Sequence, residues 1–339
     1  MNLKLNTVTS LPPGFLQCQS TDLADTLPGP TLIHLSGCNT RPVFISILLH
    51  GNEPVGLQAI QSVLKDYRGK LPRSLSLFVG NIAAAKHGVR RFVDQADYNR
   101  VWPSAGVTGD TPEHALMRQV VDDMQQRDPF VSVDLHNNTG LNPHYACVNR
   151  LDHRLFHLAT LFSRTVVYFQ LPKGVQSMAM GELCPAVTLE CGKIGDASGV
   201  AHAAEFIEAC LHMDHLPEQP VRPEDISLFH TVARIEVPAH ISFGFGDDKA
   251  DIVFAEDLEY YNFTELPAGT RIGRYNHEHA AHLDVVDENG NKVEQRFLHY
   301  SNGDILLATK IMPTMLTLNA DNIRQDCLCY FMERYPLPA

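Results

Sequence analysis

The sequence lacks the features that would place it in a membrane or in an oxidising compartment. Its cleanest apolar run near a motif, VFISILL, is far shorter than the ~20 residues that a membrane-spanning helix needs. The N-terminal MNLKLNTVTSLPPGF has no apolar stretch of the kind found in signal peptides. The eight cysteines form no C-x-x-C pair, and their scatter predicts reduced, mostly buried thiols. We therefore expect a cytoplasmic protein.

Basic residues are also scarce. Lys and Arg total 27 against 39 Asp and Glu, so the formal net charge is -12 over 339 residues. Such an acidic surface argues against nucleic acid or an anionic membrane as the main partner, but it leaves room for a local basic pocket. Hydrophobic residues make up 44% of the chain, which excludes a mainly disordered protein.

Apolar runs alternate with helical patterns along the first two thirds of the chain. Buried strands are predicted at 43–49, 75–79, 131–135, 165–171 and 186–189, and helices after Pro54, over 112–124 and over 198–215. Strands that alternate with helices indicate an α/β fold with a mainly parallel mixed sheet flanked by helices.

The composition changes after residue 216. The segment PEQPVRPED is rich in Pro and acidic residues, and short strand-like runs broken by turn sequences follow it. This change predicts an α/β domain over 1–216 and a smaller β-rich domain over 217–339. In the second domain, His277, His279 and His282 have no matching carboxylate pattern, so we predict an exposed histidine cluster there.

Three predicted strands end in residues that bind metals. His50 ends the first strand, with Glu53 at the turn into the next helix; His136 ends the third and Glu190 the fifth. Ligands bind at the carboxyl ends of the strands in open α/β sheets. Two imidazoles and a carboxylate leave a zinc ion an open position, and Glu190 would then act as the base. The alternative is a set of unrelated polar residues that cap strand ends.

Three arginines follow the second predicted strand. Arg90, Arg91, Asn99 and Arg100 lie within RRFVDQADYNR. Guanidinium groups bind carboxylates and stabilise developing oxyanions, so this segment predicts an anionic substrate. A solvated loop with surface ion pairs is the alternative.

The motifs HGNE, DYNR, DLHNNTG and TLECG, in that order, resemble those of the succinylglutamate desuccinylase/aspartoacylase family, part of the wider zinc carboxypeptidase group. The resemblance covers most of residues 43–195, and it extends weakly to NFTELPAGT and LTLNADNIRQDCL. It implies one Zn²⁺ per chain on His50, Glu53 and His136, with Glu190 as general base and proton shuttle. Asp134 either orients a metal-bound imidazole or is a buried hydrogen-bonded aspartate.

The resemblance also implies how a substrate is held. Asn99 and Arg100 would bind its free carboxylate, Arg91 or else Arg90 would polarise the scissile carbonyl, and Tyr300 would line the site. The loop before DYNR is about one residue longer than in aspartoacylase-like sequences, so the choice between the two arginines stays open. The segment 176–180 carries no arginine where the family has one, which predicts a more apolar pocket and leaves N-acetylaspartate unassigned.

These observations predict a zinc-dependent amidohydrolase that removes the acyl group from an N-acyl amino acid or a similar small anionic substrate. Two alternatives stay open: a zinc carboxypeptidase that acts on peptide C-termini, and a binding protein that has the fold but no turnover. A homodimer is compatible with the prediction, and the sequence leaves the oligomeric state undetermined.

Overall fold

Two β-sheets organise the chain. The computed structural model describes residues 3–67, 69–246, 249–276 and 281–338. His277 and His279 of the predicted histidine cluster lie outside these residues. The third member, His282, is exposed, and its ring lies 2.9 Å from a carboxylate oxygen of Glu294.

The strands and helices have the following bounds. The strands are β1 (Asn6–Val8), β2 (Thr31–Leu35), β3 (Gly37–Ile47), β4 (Leu71–Val79), β5 (Val131–Asn138), β6 (Tyr145–Val148), β7 (Thr165–Tyr168), β8 (Ala186–Lys193), β9 (Ser227–Glu236), β10 (Phe243–Phe245), β11 (Ile252–Phe254), β12 (Arg271–Tyr275), β13 (Asp284–Val286), β14 (Leu298–Ser301), β15 (Asp304–Leu307), β16 (Met312–Thr314) and β17 (Cys329–Arg334). The α-helices are α1 (Leu23–Thr26), α2 (Val55–Asp66), α3 (Ile82–Ala85), α4 (Pro112–Arg127), α5 (His153–Thr160), α6 (Gln176–Met180), α7 (Ala197–His212), α8 (Glu294–Phe297) and α9 (Ala320–Gln325). Short 3₁₀ helices cover Ser20–Asp22, Pro223–Asp225 and Leu258–Tyr261.

The larger sheet has 12 strands in the order β1-β2-β4-β3-β5-β8-β6-β7-β9-β17-β16, and β13 pairs with β9. Its centre, β4-β3-β5-β8, is parallel. Antiparallel pairs occur at β2/β4, β6/β8 and β9/β17. The predicted fold class, a mainly parallel mixed sheet flanked by helices with a separate β-rich part, is confirmed.

The C-terminal third contributes to both sheets. β10, β11, β12, β15 and β14 form the second, five-stranded sheet. β9, β13, β16 and β17 instead extend the larger sheet beyond β7. The division at 216/217 stays a prediction, and the large sheet takes strands from both sides of it.

Helix α2 shows how the sequence pattern produces the packing. Val55, Ala59 and Ile60 recur at helical spacing and are buried. Gly56 permits a close approach to β3, because a Cβ at this position would lie 2.5 Å from Cγ2 of Ile47. The helix therefore begins directly against the end of β3, where the candidate site lies.

The eight cysteines are unpaired, as predicted. Six are buried, Cys18 is half-buried and Cys38 is exposed. Across the described residues, every helix is too short or too polar to span a bilayer.

Candidate metal centre

The first candidate ligands lie at the end of β3. Leu48 leaves the strand with φ of 54°, in the left-handed region that non-glycine residues rarely adopt. Gly51 packs the following turn onto α3, because a Cβ there would lie 2.2 Å from the backbone N of Ala85. Its N–H donates to the carbonyl of Arg90 at 3.0 Å. The HGNE turn is thus held between α3 and the arginine segment.

The other strand ends are adjacent to this turn. β5 lies between β3 and β8, and His136 of β5 is the register partner of Glu190 of β8. Asn137 links the same region to α2, because its carbonyl oxygen accepts from Val55 N at 3.0 Å and its amide donates to Gly192 O at 3.2 Å. Parallel pairing therefore brings residues from three distant segments to one edge of the sheet.

His50, Glu53 and His136 converge on a common point. Nδ1 of His50 lies 3.0 Å from Oε1 of Glu53, and Nδ1 of His136 lies 2.7 Å from Oε2 of the same carboxylate. One ligand atom from each residue lies within 4.8 Å of the others, and all three residues are buried. Two imidazoles and one carboxylate form a donor set that suits a catalytic zinc, so these residues fit the predicted ion.

The outer nitrogens of both imidazoles contact carboxylates. Nε2 of His50 lies 3.0 Å from Asp97 Oδ1, and Nε2 of His136 lies 2.7 Å from Asp134 Oδ2. A carboxylate beside each Nε2 favours the tautomer that carries its proton there, which would leave Nδ1 free to bind a metal ion held together with Glu53. Asp97 was missed in the sequence analysis, although it lies within the DYNR segment, two residues before Asn99.

Charge interactions in the ligand cluster favour its ionised forms. Burial opposes the charge on His136, but Asp134 and Glu53 raise its pKa well above the usual value. Burial also opposes ionisation of Glu53, yet the two histidines lower its pKa. A metal and a proton would compete for the same ring nitrogens, so metal binding at this cluster would release protons.

Glu190 lies beside the three ligands. It is buried, and burial raises its pKa to about 7. Asn138 donates from its amide to Oε2 of Glu190 at 3.0 Å and fixes the carboxylate on the cleft. A carboxylate with a pKa near neutrality accepts and returns protons efficiently, so Glu190 has the properties of a general base.

The structure places Arg90, not Arg91, on the cleft. The buried Arg90 donates from Nη2 to Asp97 Oδ2 at 3.1 Å and lies 3.5 Å from Glu53 Oε1. Arg91 turns away and donates from Nη1 to three carbonyls of its own loop, at 3.1 to 3.4 Å. The expectation that Arg91 polarises the carbonyl therefore needs correction, because the longer loop uses that guanidinium to hold its own backbone.

Asn99 and Arg100 both line the cleft, with partners in the protein. Asn99 donates from its amide to Asp134 at 3.1 Å, and its carbonyl oxygen accepts from Gln176 N at 2.9 Å. Arg100 donates from Nη2 to Asp326 at 2.7 Å. Burial opposes the ionisation of Asp326, but the neighbouring guanidinium groups, of which Arg100 has the largest effect, lower the pKa of Asp326 to about 2.

Tyr300 does not reach this cleft. It belongs to β14 of the five-stranded sheet, where its hydroxyl accepts from Leu283 N at 2.9 Å and its ring packs on His282. Tyr330 of β17 and Tyr145 of β6 line the cleft instead. The prediction for Tyr300 is wrong in this respect, because β14 pairs within the small sheet whereas β17 joins the large one.

Several solved structures have the same fold. The succinylglutamate desuccinylase of Vibrio parahaemolyticus is 15% identical, and the match covers 96% of each chain with a TM-score of 0.61. A succinylglutamate desuccinylase/aspartoacylase of Rhodobacter sphaeroides is 14% identical over 89% of this chain and 88% of that one, with a TM-score of 0.59. The succinylglutamate desuccinylase of Chromobacterium violaceum is 17% identical over 88% of this chain and 87% of that one, with a TM-score of 0.56.

By sequence, no family model and no curated protein matches the chain. At such low identities the structural likeness shows the fold alone. The predicted resemblance to succinylglutamate desuccinylase/aspartoacylase structures is confirmed at that level.

Proposed function

We propose that this chain is a zinc-dependent hydrolase that cleaves the amide bond of an N-acylated amino acid or a related small carboxylate. The observation that carries the proposal is the convergence of His50, Glu53 and His136 beside the buried Glu190 in one cleft. The cleft has a cavity volume of about 100 Å³, which suits a small substrate better than a folded protein. The desuccinylase and aspartoacylase names of the structural neighbours point to the same amide chemistry.

In this mechanism His50, Glu53 and His136 hold the metal. When bound, zinc supplies a Lewis acid and activates a water molecule. Glu190 takes up the proton that the attacking water releases and later delivers it to the leaving amine nitrogen. Asp97 and Asp134 keep the two imidazoles in the tautomer that the metal requires.

Two arginines orient the substrate. Arg90 donates to the carbonyl oxygen, where negative charge develops as the carbonyl carbon becomes tetrahedral. Arg100 directs its remaining N–H groups to the free carboxylate of the substrate; its side chain retains 25% of its exposure. Asn99 positions this end of the cleft through its bonds to Asp134 and Gln176.

The proposal is tested by a hydrolysis screen over N-acyl amino acids and short peptides, with metal analysis of the same sample. We expect about one zinc per chain and amine release from at least one N-acyl amino acid. Faster cleavage of peptides than of every N-acyl amino acid would favour a carboxypeptidase. Full activity in metal-free protein would exclude the zinc mechanism.

The two neighbouring arginines provide a matched comparison. Arg90→Lys retains the positive charge but removes the planar donor pair, so kcat should fall by roughly 10²–10³-fold, as for loss of an oxyanion donor. Arg91→Lys changes only bonds within the loop and should leave kcat within a few-fold of the parent. Steady-state kinetics on both variants, with zinc content as a check of folding, would decide the assignment; a larger loss in Arg91→Lys would reverse it.

A further inference from the structure

The cleft has two chemically distinct halves. All its ionisable metal-ligand and arginine side chains lie at one end, together with Glu190 and Asp326. The other half is lined by uncharged side chains, among them Cys147, Val167, Phe169, Leu171, Val175 and Thr188. Since this half belongs to the same cleft, it contacts whatever part of the substrate extends beyond the reacting amide.

Part of the apolar half is a face of the large sheet. β8, β6, β7 and β9 are neighbours in that order, and alternate residues of a strand point to the same face. Cys147 pairs in register with both Thr188 and Val167. Strand spacing places Cys147 roughly 8 Å from Glu190, within reach of an amino-acid side chain on a substrate held at the base. Strands build the part around Cys147, Val167 and Thr188, and Phe169 extends it one residue beyond the end of β7.

The apolar half also adjoins the arginine that would hold the carboxylate. Trp102 N donates to Gly174 O at 3.0 Å, and a Cβ on Gly174 would lie 2.2 Å from Arg100 O. Gly174, in the segment that carries Leu171, Pro172 and Val175, therefore packs against the backbone of Arg100. The carboxylate and the side chain of an amino acid leave the same Cα, so a carboxylate on Arg100 directs the side chain towards this half.

Both arginines that line the cleft already have carboxylate partners in the protein. Arg90 pairs with Asp97 and Glu53, and Arg100 pairs with Asp326. The described lining of the apolar half contains no Lys or Arg. A second carboxylate on the substrate would thus be buried without a cation, which is strongly unfavourable.

We propose that the substrate is an N-acyl amino acid with a single carboxylate and an apolar side chain, which packs on the sheet face around Cys147, Val167 and Phe169. This inference rests on the proposed function and narrows its substrate class. A cleft that binds an acidic amino acid would need a further Lys or Arg on that face, so the proposed substrate differs from an N-acylated aspartate or glutamate.

The test compares N-acetyl-leucine with N-acetylaspartate, which are similar in shape, and with N-acetylasparagine, whose side chain is polar but uncharged. On the zinc-loaded protein we expect kcat/KM for N-acetyl-leucine to exceed that for N-acetylaspartate by at least ~10-fold, with the value for N-acetylasparagine between them. Preference for the aspartate compound, or equal rates on all three with discrimination only among acyl groups, would overturn the inference and leave the proposed function standing. Cleavage of none of a broad N-acyl panel would instead remove the proposed function.

Two substitutions and a matched control add readouts, with N-acetylalanine as a further substrate. Phe169→Ala should lower kcat/KM for N-acetyl-leucine by about 10-fold and for N-acetylalanine much less, since only the longer side chain reaches that ring. Phe245→Ala, a half-buried phenylalanine of β10, is the matched control and should change neither. Asp326→Asn removes the carboxylate that neutralises Arg100. It should therefore reduce the ratio of kcat/KM for N-acetyl-leucine to kcat/KM for N-acetylaspartate. Equal losses on both substrates in Phe169→Ala would contradict the assignment of this face.

Discussion

Replacing Glu190 with glutamine is expected to lower kcat by roughly 10³-fold or more while the protein keeps about one metal ion per chain. The amide has the shape of the carboxylate but cannot accept the proton of the attacking water. Glutamine also retains the oxygen that accepts from Asn138, so the local packing is preserved. Pre-steady-state or steady-state amine release, together with metal analysis of the same preparation, measures both quantities.

A buried carboxylate outside the cleft provides the control. Glu259 is buried and pairs with Lys193 at 3.0 Å, so Glu259→Gln tests whether loss of any buried carboxylate impairs turnover. We expect that variant to retain most of its kcat. If Glu190→Gln kept a tenth of the parent kcat, or lost its metal together with its activity, Glu190 would not be the base.

The same residue predicts the pH dependence. A general base works only when it is deprotonated. The value of kcat/KM should therefore be low at pH values below the pKa of Glu190 and should rise as the pH passes through it. Burial raises that pKa to about 7, and a bound divalent cation would lower it, so the acidic limb should lie between about 5 and about 7. A pH–rate profile that is flat between about 5 and 7 would argue against this assignment.

The part of the fold that is visible in the sequence is its parallel centre. Strands buried on both faces appear as continuous apolar runs, and β3, β4, β5 and β8 each overlap one of the predicted runs. The carboxyl ends of parallel strands lie on one edge of a sheet, so His50, His136 and Glu190 were predicted to converge there, with unrelated strand-end caps as the alternative. This is why the predicted ligand cluster agrees with the geometry.

Other features depend on contacts that no local pattern encodes. β6 is four residues long and antiparallel to β8, so neither length nor alternation distinguishes it from a loop. Tyr300 and Tyr330 both lie in strands of the C-terminal third, and only sheet membership decides which one reaches the cleft. Asp326 pairs with Arg100 across 226 positions of the chain, a separation at which sequence spacing carries no information.

The choice between Arg90 and Arg91 shows the same limit at short range. Both guanidinium groups have equal charge and similar reach. Because the loop before DYNR is about one residue longer than in aspartoacylase-like sequences, the motif does not indicate which arginine faces the cleft. Gly51 N bonds to the carbonyl of Arg90, which fixes the backbone there, and Arg91 is then directed to its own loop. One backbone hydrogen bond therefore decides a side-chain role that composition and motif leave undetermined.

Substitution of a proposed metal ligand should remove both the metal and the activity. His136→Ala removes one of three donors that lie within 4.8 Å of one another, so we expect zinc content to fall from about one per chain to near zero and hydrolysis to be lost. Chelation of the parent protein should abolish activity in the same way, and added zinc should restore it in the parent but not in the variant. Metal analysis and activity on one sample follow both effects.

The chain contains its own controls for this experiment. His215 and Glu218 form another H-x-x-E pair with the same spacing as His50 and Glu53, but His215 is exposed and lies just beyond α7, away from the cleft. His215→Ala should therefore leave zinc content and activity unchanged, which separates spacing from position as the cause of binding. Asp97→Asn keeps all three ligands but weakens the orientation of His50, so zinc affinity should fall by about 10–100-fold rather than vanish. If His136→Ala retained stoichiometric zinc and full turnover, the ion would have to bind elsewhere, and this cleft would lose the cofactor on which its proposed chemistry depends.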